Sequence, residues 1–237
     1  MTYSFTGIAY LILFFALGYL VYRFFQYWRK EKDPVSKHSL CFVILFELFV
    51  LIVTIGGLFF ANNPSHLEKT INVGVFIQAL ALAVIAYHIT YLKFPKISPW
   101  FGFTSILILG LIATILTVII PFNPFLEPSG AINWGFPSSP LVIFVSVLRF
   151  FLFTVTFIPL IIIFLSQFKI SEDPYLKRKA LGMSLTLLFI LVGASFDFLF
   201  IYIFELGAIW RDIAFIVCSA TLLINLILTL PPSSSKL

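Results

Sequence analysis

The sequence predicts an all-α integral membrane protein, a seven-transmembrane-helix bundle, and three observations carry that prediction. Hydrophobic residues make up 61% of the 237-residue chain and charged residues only 11%, whereas a soluble domain is nearer ~45–50% apolar. Seven apolar stretches each have enough residues to cross a hydrocarbon core of ~30 Å at ~1.5 Å per helical residue. Between them the basic residues fall in short clusters that favour alternate loops, the pattern that membrane orientation requires. The net charge of +5 is therefore an orientation signal, and nucleic acid is excluded as a partner.

The spans are expected at about 6–28, 39–61, 70–92, 99–121, 140–167, 179–205 and 210–230, with ends uncertain by a few residues, and the whole chain, 1–237, reads as one domain. The first opens on MTYSFTG, without the basic region of a cleavable leader, and its basic residues follow the apolar stretch. It reads as a retained helix that enters with its N-terminus outside. The second is introduced by Asp33-Pro34 and the sixth by Asp173-Pro174, each pair an N-cap followed by a first-turn proline. Both pairs have a lysine three residues after the proline. This echo is compatible with a 3+1+3 repeat, and equally with plain helix-start chemistry used twice. The stretch from Phe122 to Pro140 is the longest connection, rich in proline with Glu127 its one charge. It is expected either to lie in the interface or to fold over the bundle mouth. Pro159 inside span five is expected to kink it.

Loops one, three and five and the C-terminal tail hold Arg29, Lys30, Lys32, Lys37, Lys93, Lys96, Lys169, Lys177, Arg178, Lys179 and Lys236. Loops two, four and six offer Lys69 and Arg211. The asymmetry predicts a multi-pass cell-membrane protein with an outer N-terminus and a cytoplasmic C-terminus. Trp28, Trp100, Trp134 and Trp210 fall at or near span ends, where amphipathic rings sit at the membrane surface.

Four ionisable residues lie inside spans, where a charge is costly unless paired or in use. Arg149 and Asp197 are each expected in the outer half, close enough in depth to form a buried charge pair or a ligand site. Glu47 and His88 are expected in the inner halves of spans two and three, as a polar or proton-relay pair. Gln78 and Asn225 are expected to bond between helices. His38 and His66 are read as loop residues on opposite sides, and two ligands without a third make no metal site. Cys41 and Cys218 fall in spans and in no metal-binding pattern. No nucleophile elbow, zinc-protease motif or phosphate-binding glycine loop occurs, and the last span has no lysine for a retinal Schiff base. The expectation is therefore no enzyme activity and no cofactor.

Tyr175-Leu-Lys177-Arg178-Lys179-Ala-Leu-Gly182 leading into span six, then a short turn and Asp212 opening span seven, resembles the seven-helix N-terminal sensor regions of prokaryotic membrane histidine kinases. The likeness covers the last quarter of the chain. In that family a kinase domain follows the last helix, whereas PPSSSKL follows here, so the resemblance implies a sensor acting through a separate cytoplasmic protein. The expected function is a receptor-like membrane sensor with its ligand in an outer-half cavity near Arg149 and Asp197. A small secondary transporter and a non-catalytic scaffold subunit are the alternatives. Expected partners are the lipid bilayer, a cytoplasmic signalling protein and a second copy of the chain in a homo-oligomer.

Overall fold

The computed structural model describes residues 4–196 and 207–228. Seven long apolar helices make this a multi-pass membrane protein: α1 (Phe5–Glu31), α2 (Pro34–Phe59), α3 (Pro64–Lys93), α4 (Pro99–Ile119), α5 (Pro140–Ile170), α6 (Pro174–Ser195) and α7 (Ile209–Leu228). A two-stranded antiparallel hairpin, β1 (Phe125–Leu126) and β2 (Ile132–Asn133), lies between α4 and α5.

Five helices, α2 to α6, begin with proline at the first helical position, preceded by Asp33, Asn63, Ser98, Ser139 and Asp173. Proline has no N–H to lose there, and the side chains of Asp33, Asn63, Ser139 and Asp173 each accept from an amide of the first turn, whereas Ser98 makes no such bond. At Asp33 the carboxylate accepts from the Ser36 hydroxyl at 2.6 Å and from the Ser36 N–H at 2.9 Å. Those donors hold its carboxyl below the ordinary carboxylate value. Because the caps set the starts, α2 and α3 begin several residues before the apolar stretches at 39 and 70. This corrects the placement of His38 and His66, which belong to the opening turns of α2 and α3 and not to loops.

Neighbouring helices pack in chain order, and α7 closes on α1. Because α3 also touches α5 directly, α1, α2, α3, α5, α6 and α7 form a ring and α4 lies outside it against α3. The exposures agree, since α3 is the most buried helix and α4 the least. Outward residues such as Phe15, Ile108, Ile119, Ile162 and Ile227 supply the apolar belt that a bilayer requires. Helix α5 runs through Pro159 without a break in assignment.

All N-termini of odd-numbered helices lie at one end with the hairpin, and the opposite end carries most of the basic residues. At the hairpin end α1 and α2 meet backbone to backbone. A Cβ on Gly7 would lie 2.7 Å from the Gly57 carbonyl carbon, and the Ser4 hydroxyl donates to the Gly57 carbonyl at 2.7 Å. The hairpin turns through Gly130, whose φ of 81° is a left-handed conformation open to glycine at little cost. It folds back onto the helices: Ile132 and Trp134 are buried in the core, and the Phe5 N–H donates to the Gly130 carbonyl at 2.7 Å. Of the two placements open from sequence, the hairpin takes the second, against the bundle. Trp134 is thus not an interfacial ring, whereas Trp100 and Trp210, 60% and 53% exposed, are placed to be.

Candidate functional site

A cavity of about 80 Å³ lies on the axis of the six-helix ring, in the half nearer the basic end. Every ring helix contributes to it, with Leu17 and Leu20 from α1, Phe42 and Phe46 from α2, Ile85 from α3, Leu160 from α5, Leu187 from α6 and Leu222 from α7. Its wall is overwhelmingly apolar, and among the described residues the polar side chains on it are His38, Ser39, His88 and Thr186. Helix α4 takes no part.

His38 reaches this cavity because Asp33-Pro34 starts α2 a full turn before it. Antiparallel packing then sets it level with the last turns of α3. Its ring meets Tyr87 edge-on at 4.8 Å between centroids, Tyr91 at 5.8 Å and His88 at 6.2 Å. The Nδ1 atoms of His38 and His88 are both buried and have no hydrogen-bond partner among the described residues.

The structure brings His88 to His38 and not to Glu47, which corrects the expected pair. From the observed helix ends Glu47 lies thirteen residues into α2 and His88 five residues from the end of α3, or about 20 Å and 7.5 Å from the basic end at 1.5 Å per residue. That depth difference is too large for a direct bond. Glu47 turns instead to α1, where its Oε1 would be 2.9 Å from a Cβ at Gly18.

Arg149 is buried on α5, and its Nη2 donates to Gln78 Oε1 on α3 at 3.0 Å. Asp197 lies outside the described residues. Asn225 of α7 donates through Nδ2 to the Gly182 carbonyl at 3.0 Å and to Thr186 Oγ1 at 3.1 Å, both on α6. Both cysteines are free, Cys41 exposed and Cys218 buried. No cluster of three or more His, Cys, Asp or Glu side chains arranged for a metal ion occurs among the described residues.

Sequence reasoning missed the polar network at the hairpin end. Arg211 and Asp212, read as a loop charge and a helix opener, are completely buried in the first turn of α7. Arg211 Nε donates to Asp212 Oδ1 at 2.8 Å, and its Nη2 donates to the Ile132 carbonyl at 3.0 Å and to Thr6 Oγ1 at 3.1 Å. The Thr6 hydroxyl donates to Asp212 Oδ2 at 2.6 Å and accepts the Ile132 N–H at 2.7 Å. Trp134 lies under the guanidinium at 5.5 Å, a cation–π arrangement. Glu127 adds a second tie between hairpin and α7, accepting from Asn133 Nδ2 at 2.9 Å and from the Ala208 N–H at 3.4 Å. A charged pair is tolerable in burial when its hydrogen bonds are made, and here the hairpin and α1 supply them. The signal available was the adjacent opposite charges Arg211-Asp212 after an apolar loop; their partners are remote in the chain.

No family model matches this chain, and neither does any curated protein or solved structure.

Proposed function

We propose that this protein is a receptor-like membrane sensor that takes a small ligand in the central cavity, with its N-terminus outside and its basic end in the cytoplasm. The carrying observation is the convergence of all six ring helices on one apolar cavity, the kind of concave, mostly apolar space that small ligands occupy. A molecule bound there touches every helix of the ring, so any difference in affinity between two ring packings shifts their populations. The basic loops at that end lie closest to the cavity and are the segments whose arrangement a cytoplasmic partner would read. The orientation rests on the basic residues alone. The reading moves the ligand from the outer half, near Arg149, to the inner half.

The test is a thermal-stability screen of the protein in lipid nanodiscs against small apolar and amphipathic compounds, beside Val43→Phe, which places a ring in the cavity. Binding stabilises the folded state by mass action, by ~2.7 kcal/mol at a hundredfold excess over Kd, and so raises the midpoint. The expected result is a compound that stabilises the wild type and leaves Val43→Phe unmoved. A screen in which no compound moves the wild type defeats the proposal.

A transporter is the second reading, favoured by the ring itself. It consists of two consecutive triplets, α1–α3 and α5–α7, whose seams are α3 against α5 and α7 against α1, the adjacency that a 3+1+3 repeat about a central axis requires. Gradient-driven uptake of the stabilising compound into proteoliposomes separates it from a sensor, which binds without flux.

A further inference from the structure

The four polar residues on the cavity wall divide into two that are satisfied and two that are not. The Ser39 hydroxyl donates to the Val35 carbonyl at 3.0 Å. Thr186 Oγ1 donates to the Gly182 carbonyl at 3.0 Å and accepts from Asn225 at 3.1 Å. His38 and His88 differ, because each keeps a buried Nδ1 with no protein partner among the described residues. A neutral imidazole has one N–H and one lone pair, so in either tautomer that Nδ1 is a donor or acceptor left to be used. Buried polar atoms as a rule have a partner, and these two belong to rings on the wall of the same cavity.

We infer that the cavity is built for an uncharged amphipathic molecule: a compact apolar body among Leu17, Phe42, Phe46 and Leu187, and a hydroxyl held between His38 and His88. A hydroxyl both donates and accepts, so it can take the lone pair of one imidazole and the N–H of the other. The 6.2 Å between ring centroids is within the span of one oxygen hydrogen-bonded to two ring nitrogens at ~2.8 Å each. The wall excludes a charged head, since among the described residues it carries no carboxylate, lysine or arginine to offset the desolvation of an ion. A metal ion would need a third donor of a kind that the described residues do not assemble here.

This inference rests on the cavity being the ligand site, and its test separates the two ideas. Phenol and toluene have the same ring and nearly the same size and differ by a hydroxyl for a methyl. Both are titrated onto the full chain in nanodiscs by ligand-observed NMR. The wild type should bind phenol about tenfold more tightly than toluene, the net effect of one to two buried hydrogen bonds. In His38→Phe and in His88→Phe that preference should fall towards unity while toluene still binds. In wild-type protein labelled with ¹⁵N-histidine, phenol and not toluene should move the Nδ1 resonances of two histidines, a readout that depends on no variant. Equal binding of the two probes with unmoved resonances overturns the hydroxyl and leaves the cavity as a ligand site. Binding of neither probe overturns both.

Discussion

At the hairpin end Arg211, Asp212, Thr6 and the Ile132 backbone are buried and joined by five hydrogen bonds; at the basic end two imidazoles line a cavity and leave two buried nitrogens without a partner among the described residues. The first region spends its polarity largely on itself. The second withholds it. Within one bundle, then, the charged cluster is bonded internally, and under the proposed function it is the histidines that meet the ligand. Charge in a membrane span attracts a functional reading by default, and the proposal reverses that ranking.

The comparison breaks first at Asp212. Asp212→Ala strands the Arg211 guanidinium in burial and should cost ~3–5 kcal/mol, as removal of one partner of a buried ion pair does. The double variant Arg211→Met with Asp212→Leu should recover part of that loss. Equilibrium unfolding in mixed micelles measures both, and an Asp212→Ala protein as stable as wild type would end the structural assignment. Next comes Gly7→Ala, whose methyl meets the α2 backbone at 2.7 Å and should cost ~1–3 kcal/mol by forcing the helices apart. At the basic end the effects are smaller. Asp33→Ala removes the α2 cap and should cost about 1 kcal/mol. Because the folded-state pKa of Asp33 is depressed, its contribution is fully present above the ordinary carboxylate value of 3.8. It is lost as pH falls through the lower folded value. An acid titration of stability should therefore show a loss in wild type below about pH 4 that is reduced in Asp33→Ala. The smallest effect sharpens the contrast most: Val43→Phe would cost ~1–3 kcal/mol in a tight core but should cost under ~1 kcal/mol here, because the ring enters existing space.

The seven spans were legible because hydropathy and helix length are local properties that the bilayer enforces residue by residue. The site was legible only in pieces. His88 was recognised as an ionisable group inside a span, but His38 was assigned to a loop although Asp33-Pro34 had already been read as a helix start; carrying that cap through would have placed His38 inside α2. Depths counted from apolar edges leave Glu47 and His88 about 5 Å apart, within reach of a contact, and counting from the caps separates them further. Gln78 and Asn225 read from sequence as groups that bond between helices, but which helix each meets depends on ring order, which one sequence does not display. The Arg211 network was the least legible part, because it joins Thr6, Ile132 and Asp212, residues with no common pattern and far apart in the chain.

Thr6 lies in the first turn of α1 and Asp212 in the first turn of α7, 206 positions later, so at ribosomal speeds of ~5–20 residues per second the hydroxyl waits tens of seconds for its carboxylate. During that interval the α1 end of the nascent bundle lacks this clamp, and the ring cannot close until α7 has been made. The Arg211 cluster thus closes the ring late: a chain stopped before α7 has an open seam between α1 and α6. A pulse-chase comparison of full-length chain, chain ending before Ala208 and full-length Asp212→Ala should show the last two degraded at similar rates, both faster than the first.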